Sequence, residues 1–175
     1  MTAPAATGPA ARSSDDPRAL FDYNRWANDL VLDATAALSP DEFARELGGS
    51  FPSVRATLAH ILASEWVWLR RWKGGSLTGV PEGWDLSDHP SIRAHWDQVE
   101  AERSDYLAAL RHQDLERVID YRNTAGEPFR NTLTEMMRHV VNHSSYHRGQ
   151  VTSMLRILGA RTVATDLIRY YRSRR

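Results

Sequence analysis

Apolar residues in this chain recur at every third or fourth position in four separate stretches, the period of an amphipathic helix with one face buried. The first stretch carries Leu20, Phe21, Ala27, Leu30, Val31, Ala34 and Leu38, behind an Asp16-Pro17 pair that reads as an N-cap followed by a first-turn proline. "SPDE", Ser39 to Glu42, is a capping box that ends this helix and opens a short one running to Gly48-Gly49. The second stretch, from about Ser53 to Lys73, carries Val54, Leu58, Ile61, Leu62, Val67 and Leu69, and Gly74-Gly75 closes it. Ile92, Trp96, Val99, Tyr106, Leu107 and Leu110 mark the third. In the fourth, Thr132 and Glu135 form a capping box for a helix from Leu133 to about Leu158, with Gly159 behind it. Only "VIDYRNTAGEPF" carries a strand signal, as a short hairpin turning near Ala125-Gly126. Four long amphipathic helices with so little strand predict an all-α fold: a four-helix bundle with a short hairpin or irregular segment before the last helix.

A length of 175 residues suits one domain, expected over 16–175 behind a flexible tail at 1–15. That tail is rich in Ala, Pro and Ser without an apolar run, so it is not read as a secretory signal, and a cytoplasmic protein is expected. No stretch approaches the roughly 20 apolar residues of a membrane span. Formal net charge is zero, so no global field draws in nucleic acid or anionic lipid. All of the 22 basic residues except Lys73 are arginines, spread along the chain, and the basic "RYYRSRR" end reads as a solvated cluster. The chain has no cysteine, which excludes disulfides, thiolate metal sites and a protein-borne thiol nucleophile.

Three of the seven histidines, His139, His143 and His147, follow one another at four-residue intervals inside the apolar stripe of the last helix. Buried imidazoles need partners, because an unpaired buried polar group costs roughly 1–3 kcal/mol. A metal ion is one such partner; ordinary core packing with satisfied hydrogen bonds is the other reading. Eight residues at about 1.5 Å each separate His139 from His147 by about 12 Å, so one ion takes either His139/His143 or His143/His147. A third ligand must come from another helix. His60 is the best candidate, because Ala56, Thr57, Ala63 and Ser64 beside it leave room for an ion. His89, His95 and His112 are weaker. Gln150 and Tyr146 lie close to the column in angle, though neither is a good general base. Glu65 and Arg148 point well away from the column and are expected in structural ion pairs.

"YNRWAN" (23–28), "TLAHILASEWVWLRRW" (57–72), "HVVNHSSYHRGQV" (139–151) and "TDLIRYY" (165–171) resemble, in this order, the signature blocks of the DinB-like (damage-inducible) metalloprotein family. The pairing of "LAHI" with "NH..YHRGQ" is the specific part of the match. The resemblance implies a four-helix bundle with a divalent ion held by His60, His143 and His147. His139, Gln150 and Tyr146 would then line the pocket or support the ligands from behind. It also implies kinship of fold with mycothiol-dependent maleylpyruvate isomerases and bacillithiol transferases. Zinc, nickel, iron and manganese all accept imidazole.

Three neutral imidazoles leave a coordination position open, the pattern of a catalytic site. The absent cysteines and the resemblance together suggest a thiol S-transferase, in which a small-molecule thiol attacks an electrophilic substrate. The alternatives are a metal-dependent hydrolase and a bundle that binds a metal or small molecule without turnover. No catalytic residue is named. Trp84, inside the long Gly- and Pro-rich loop at 74–91, reads as an anchor for that loop in preference to a lid. The remaining tryptophans are core or interface residues, and exposed aromatics on the first two long helices suit a homodimer surface.

Overall fold

The helices of this chain begin where their capping side chains place them. A computed structural model describes residues 16–77 and 79–174; the expected tail at 1–15 lies outside them. The elements are α1 (Ala19–Thr35), α2 (Pro40–Ala44), α3 (Val54–Trp72), α4 (His89–Ala109), a 3₁₀ turn (His112–Glu116), β1 (Val118–Arg122), β2 (Pro128–Thr132), α5 (Leu133–Ile157) and α6 (Leu167–Ser173). Ser53, Asp88 and Thr132 each accept the N–H three residues ahead, fixing the starts of α3, α4 and α5. The Ser39–Glu42 and Thr132–Glu135 capping boxes both form.

Four expectations need adjustment. α1 starts at Ala19, because Asp16 and Pro17 form a turn in which the Asp16 carbonyl accepts from Ala19 N–H at 2.9 Å and its carboxylate holds the Arg18 side chain. α2 ends at Ala44, short of Gly48 and Gly49, whose φ of 80° and 94° place them in the following loop. The loop after α3 ends at Asp88, which caps α4 before Pro90. At the basic end Arg169, Arg172 and Arg174 are exposed, as expected, but the segment that carries them is helical. It forms α6, whose Tyr170 is 6% exposed and packs on Tyr23 and Trp26 with centroids 5.9 and 5.6 Å away. A seven-residue helix has no stability of its own and depends on that docking.

The hairpin pairs Val118 with Thr132 through Arg122 with Pro128. Asn123 Oδ1 accepts from the N–H groups of Ala125 and Glu127, and Gly126 adopts φ 84° at the turn. β2 runs directly into α5. Trp84 stacks face-on against His95 at 4.5 Å and meets Trp66 edge-on at 5.8 Å, so it anchors its loop to α3 and α4.

α5 packs against α3 and α1, and α4 packs against α3 and, less extensively, against α1. The apolar core falls into two clusters. One holds Val31, Leu58, Ile61, Leu62, Trp96 and Leu155; the other holds Phe21, Leu69, Trp72, Leu107, Met136 and Val140. On every long helix a buried polar residue falls between the two: Asn24 and Asn28 on α1, Glu65 on α3, Arg103 on α4, Ser144 and Arg148 on α5. Glu65 Oε1 accepts from Asn24 (2.8 Å), Asn28 (3.0 Å) and Ser144 (2.7 Å), while Oε2 pairs with Arg103, which also reaches Glu100. The bundle has a polar waist.

Candidate metal centre

His60 and the histidines of α5 meet because α3 and α5 pack closely with small residues around position 60, among them Ala56, Ala63 and Ser64. Nε2 of His60 and Nε2 of His143 are 3.0 Å apart. His60, His143 and His147 each place one ring nitrogen within 4.8 Å of the others, the only such three-residue set of potential metal ligands among the described residues. Two ligand bonds of 2.0–2.1 Å on one tetrahedral or octahedral ion require adjacent nitrogens about 2.8–3.4 Å apart, a range that includes the 3.0 Å between His60 and His143.

The protonation states suit ligation. Burial, followed by the neighbouring His147, lowers the pKa of His60 from 6.5 to about 4. Burial also takes His143 to about 4, with His147, His60 and His139 adding to the effect. Both rings are therefore neutral at pH 7, with lone pairs free. Nδ1 of His147 lies 2.7 Å from Oε1 of Gln150, so that ring carries its proton on Nδ1 and presents Nε2 to the cluster. Gln150 thus orients a candidate ligand. Nδ1 of His143 is buried without a hydrogen-bond partner among the described residues, so the ring's one hydrogen-bonding contact is the one Nε2 makes with His60.

Phe51, from the loop between α2 and α3, stacks on His60 at 3.9 Å and meets His147 edge-on at 5.5 Å. Nothing in the sequence pattern marks it, because it sits outside every periodic segment. Beyond Phe51 and Gln150 opens a cavity of about 440 Å³, also lined by Leu47, Tyr146, Met154 and Ile157 and by no charged side chain. Tyr146 contributes an edge contact to His147 at 5.1 Å and is otherwise 65% exposed.

Residues 11–174 match the sequence model of the DinB family. The chain belongs to the DinB family. It is 28% identical over 163 residues to protein DinB of Bacillus subtilis (strain 168), covering 87% of this chain and 92% of that protein. Two solved structures share the fold. A DinB-like protein from Bacillus cereus aligns with a TM-score of 0.65 at 16% identity, over 83% of this chain and 94% of that one. YfiT from Bacillus subtilis aligns at 0.61 and 15%, over 87% and 93%, and is described as a probable metal-dependent hydrolase with an unusual four-helix bundle topology.

Within this DinB-family chain the other histidines are not among the converging ligands, although the His139 ring adjoins that of His143 with centroids 5.8 Å apart. His139 packs edge-on against Trp68 at 4.8 Å, one turn from His143, and its pKa is lowered by burial and by Arg71. His89 caps the end of α1 through a 2.9 Å contact with the Leu32 carbonyl. Glu65 makes the expected ion pair, with Arg103. Burial alone would raise its pKa; Arg103 and the hydrogen bonds from Asn24, Ser144 and Asn28 reverse that and hold it below the ordinary carboxylate value. Arg148 does not: its guanidinium donates to the side-chain oxygens of Asn24, Asn28, Ser145 and Tyr23, all neutral.

Proposed function

We propose that His60, His143 and His147 hold one divalent cation and that the protein is a metal-dependent enzyme of the thiol S-transferase type. The observation that carries this is the convergence of three imidazole nitrogens from two helices beside an uncharged cavity. When bound, a divalent ion supplies Lewis acidity and lowers the pKa of a thiol that ligates it. The protein's own residues do the rest. Gln150 fixes the His147 ring, Phe51 keeps water from one side of His60, and the cavity lined by Leu47, Met154 and Ile157 receives the apolar part of an electrophile. The thiol loses its proton to solvent, its sulfur forms a bond to the electrophilic carbon, and the leaving group departs with the electron pair of the broken bond.

A hydrolase reading is favoured by the description of YfiT. Against it, no carboxylate lines the cavity to serve as general base. Untagged protein, loaded in turn with zinc, nickel, iron or manganese and given low-molecular-weight thiols with a reactive electrophile, is expected to form the thioether. His60→Ala and His143→Ala should each lose the ion by elemental analysis while remaining helical. Turnover of ester or amide substrates without thiol would establish the hydrolase instead. Full metal retention in both variants would remove the basis of either.

A further inference from the structure

A second cavity, of about 910 Å³, lies between α1, α5 and the 161–169 segment. On α5 its lining includes Ser145, Thr152 and Arg156, which project roughly 140–180° away from His147 at about 100° per residue; it shares Gly149 and Ser153 with the 440 Å³ cavity and is lined by none of the three clustered histidines. Arg156, Arg161 and Arg169 line it against a single carboxylate, Asp166. In a chain of zero net charge this excess is local. None of the three guanidiniums forms an ion pair or side-chain hydrogen bond with another described residue. Their fork geometry matches carboxylate and phosphate oxygens.

The floor adds a fourth cation. Arg148 is 1% exposed, and its guanidinium donates to Ser145 Oγ at 2.8 Å and to Tyr23 OH at 3.3 Å, both of which line the cavity. Tyr23 spends its own proton on the Thr165 carbonyl at 2.8 Å. Ser145 accepts from Arg148 and has only a long 3.3 Å contact with Tyr23 to compete for its hydrogen, so its O–H can turn into the cavity. Thr152 and Ser153, by contrast, donate back to helix carbonyls. Trp26, Leu30 and Val163 supply an apolar wall.

We infer that this cavity is a binding site for a small anion bearing a carboxylate or phosphate group, held by Arg161 and Arg169 at the rim and by Ser145 at the floor. The site is independent of the metal reading. Carboxylate and phosphate share the required chemistry, and two probes distinguish them: succinate and inorganic phosphate, titrated calorimetrically into the full chain at constant ionic strength. Saturable one-to-one binding of either is expected, with whichever probe binds more tightly naming the acid. R161Q/R169Q should weaken it by about tenfold or more, the value of a charge-assisted hydrogen bond. S145A should weaken it less, and His143→Ala should leave it unchanged. All three arginines are exposed, so their substitution leaves the fold intact, checked by circular dichroism. Absence of saturable binding for both probes, or equal binding by R161Q/R169Q, would overturn the assignment.

Discussion

A histidine that folds in its neutral form carries a pH signature. His60 and His143 titrate near 4 in the folded chain and near 6.5 when exposed, so between those values the unfolded state binds more protons. Stability from these two rings is complete above about pH 6.5 and is lost as pH falls toward 4. In metal-free protein the urea midpoint should decline across that window, and H60Q/H143Q should flatten the decline. An unchanged slope in the double variant would show that other groups drive it. Gln150 gives a second test at this scale. Replacing it with Leu removes the acceptor for His147 Nδ1 and should weaken metal affinity about 10–100-fold, read by competition with a chelator. The three histidines were legible because a four-residue repeat and small neighbours are local properties of the sequence. The choice between His139 and His147 was not, since both pairs have the same spacing; the resemblance to the family favoured His147, and in the structure the His139 ring lies on Trp68. Phe51 carries no periodic signal at all.

Helix boundaries followed the same division between local and long-range causes. α3 and α5 begin where Ser53 and Thr132 place them, because a cap is decided within four residues. α6 escaped the periodic reading because Tyr170 is ordered by partners about 145 residues earlier in the sequence, Tyr23 and Trp26. One position inside α5 is unexpected on helix propensity alone. Gly149 lies mid-helix without a positive φ, and a Cβ added there meets nothing within 4 Å. Packing therefore does not require a glycine. Gly149→Ala should raise stability by about 0.5–1 kcal/mol, measured by urea unfolding. A loss of stability instead would mean that the backbone at this turn is held in a shape alanine resists.

Across the whole molecule the decisive feature is the polar waist, which no single helix reveals. Glu65 was readable as a residue facing away from the histidines, but its partners Arg103, Asn24 and Asn28 come from two other helices and had no signal in its own segment. Fully buried, the Glu65 carboxylate is the acceptor on which side chains from α1, α4 and α5 converge, so it fixes the register of four helices and with it the approach of His60 to His143. Removing it leaves Arg103 with Glu100 alone and strips Asn24, Asn28 and Ser144 of their acceptor. Glu65→Ala should cost about 3–5 kcal/mol, as loss of one partner from a buried pair does. Arg93 provides the control: it contacts Asp29, Asp33 and Asp97 at the surface, where Arg93→Ala should cost less than about 1 kcal/mol. Chemical unfolding of the two variants side by side tests the contrast. Equal losses would mean that the waist adds nothing beyond surface pairing, and that the apolar clusters alone set the helix register.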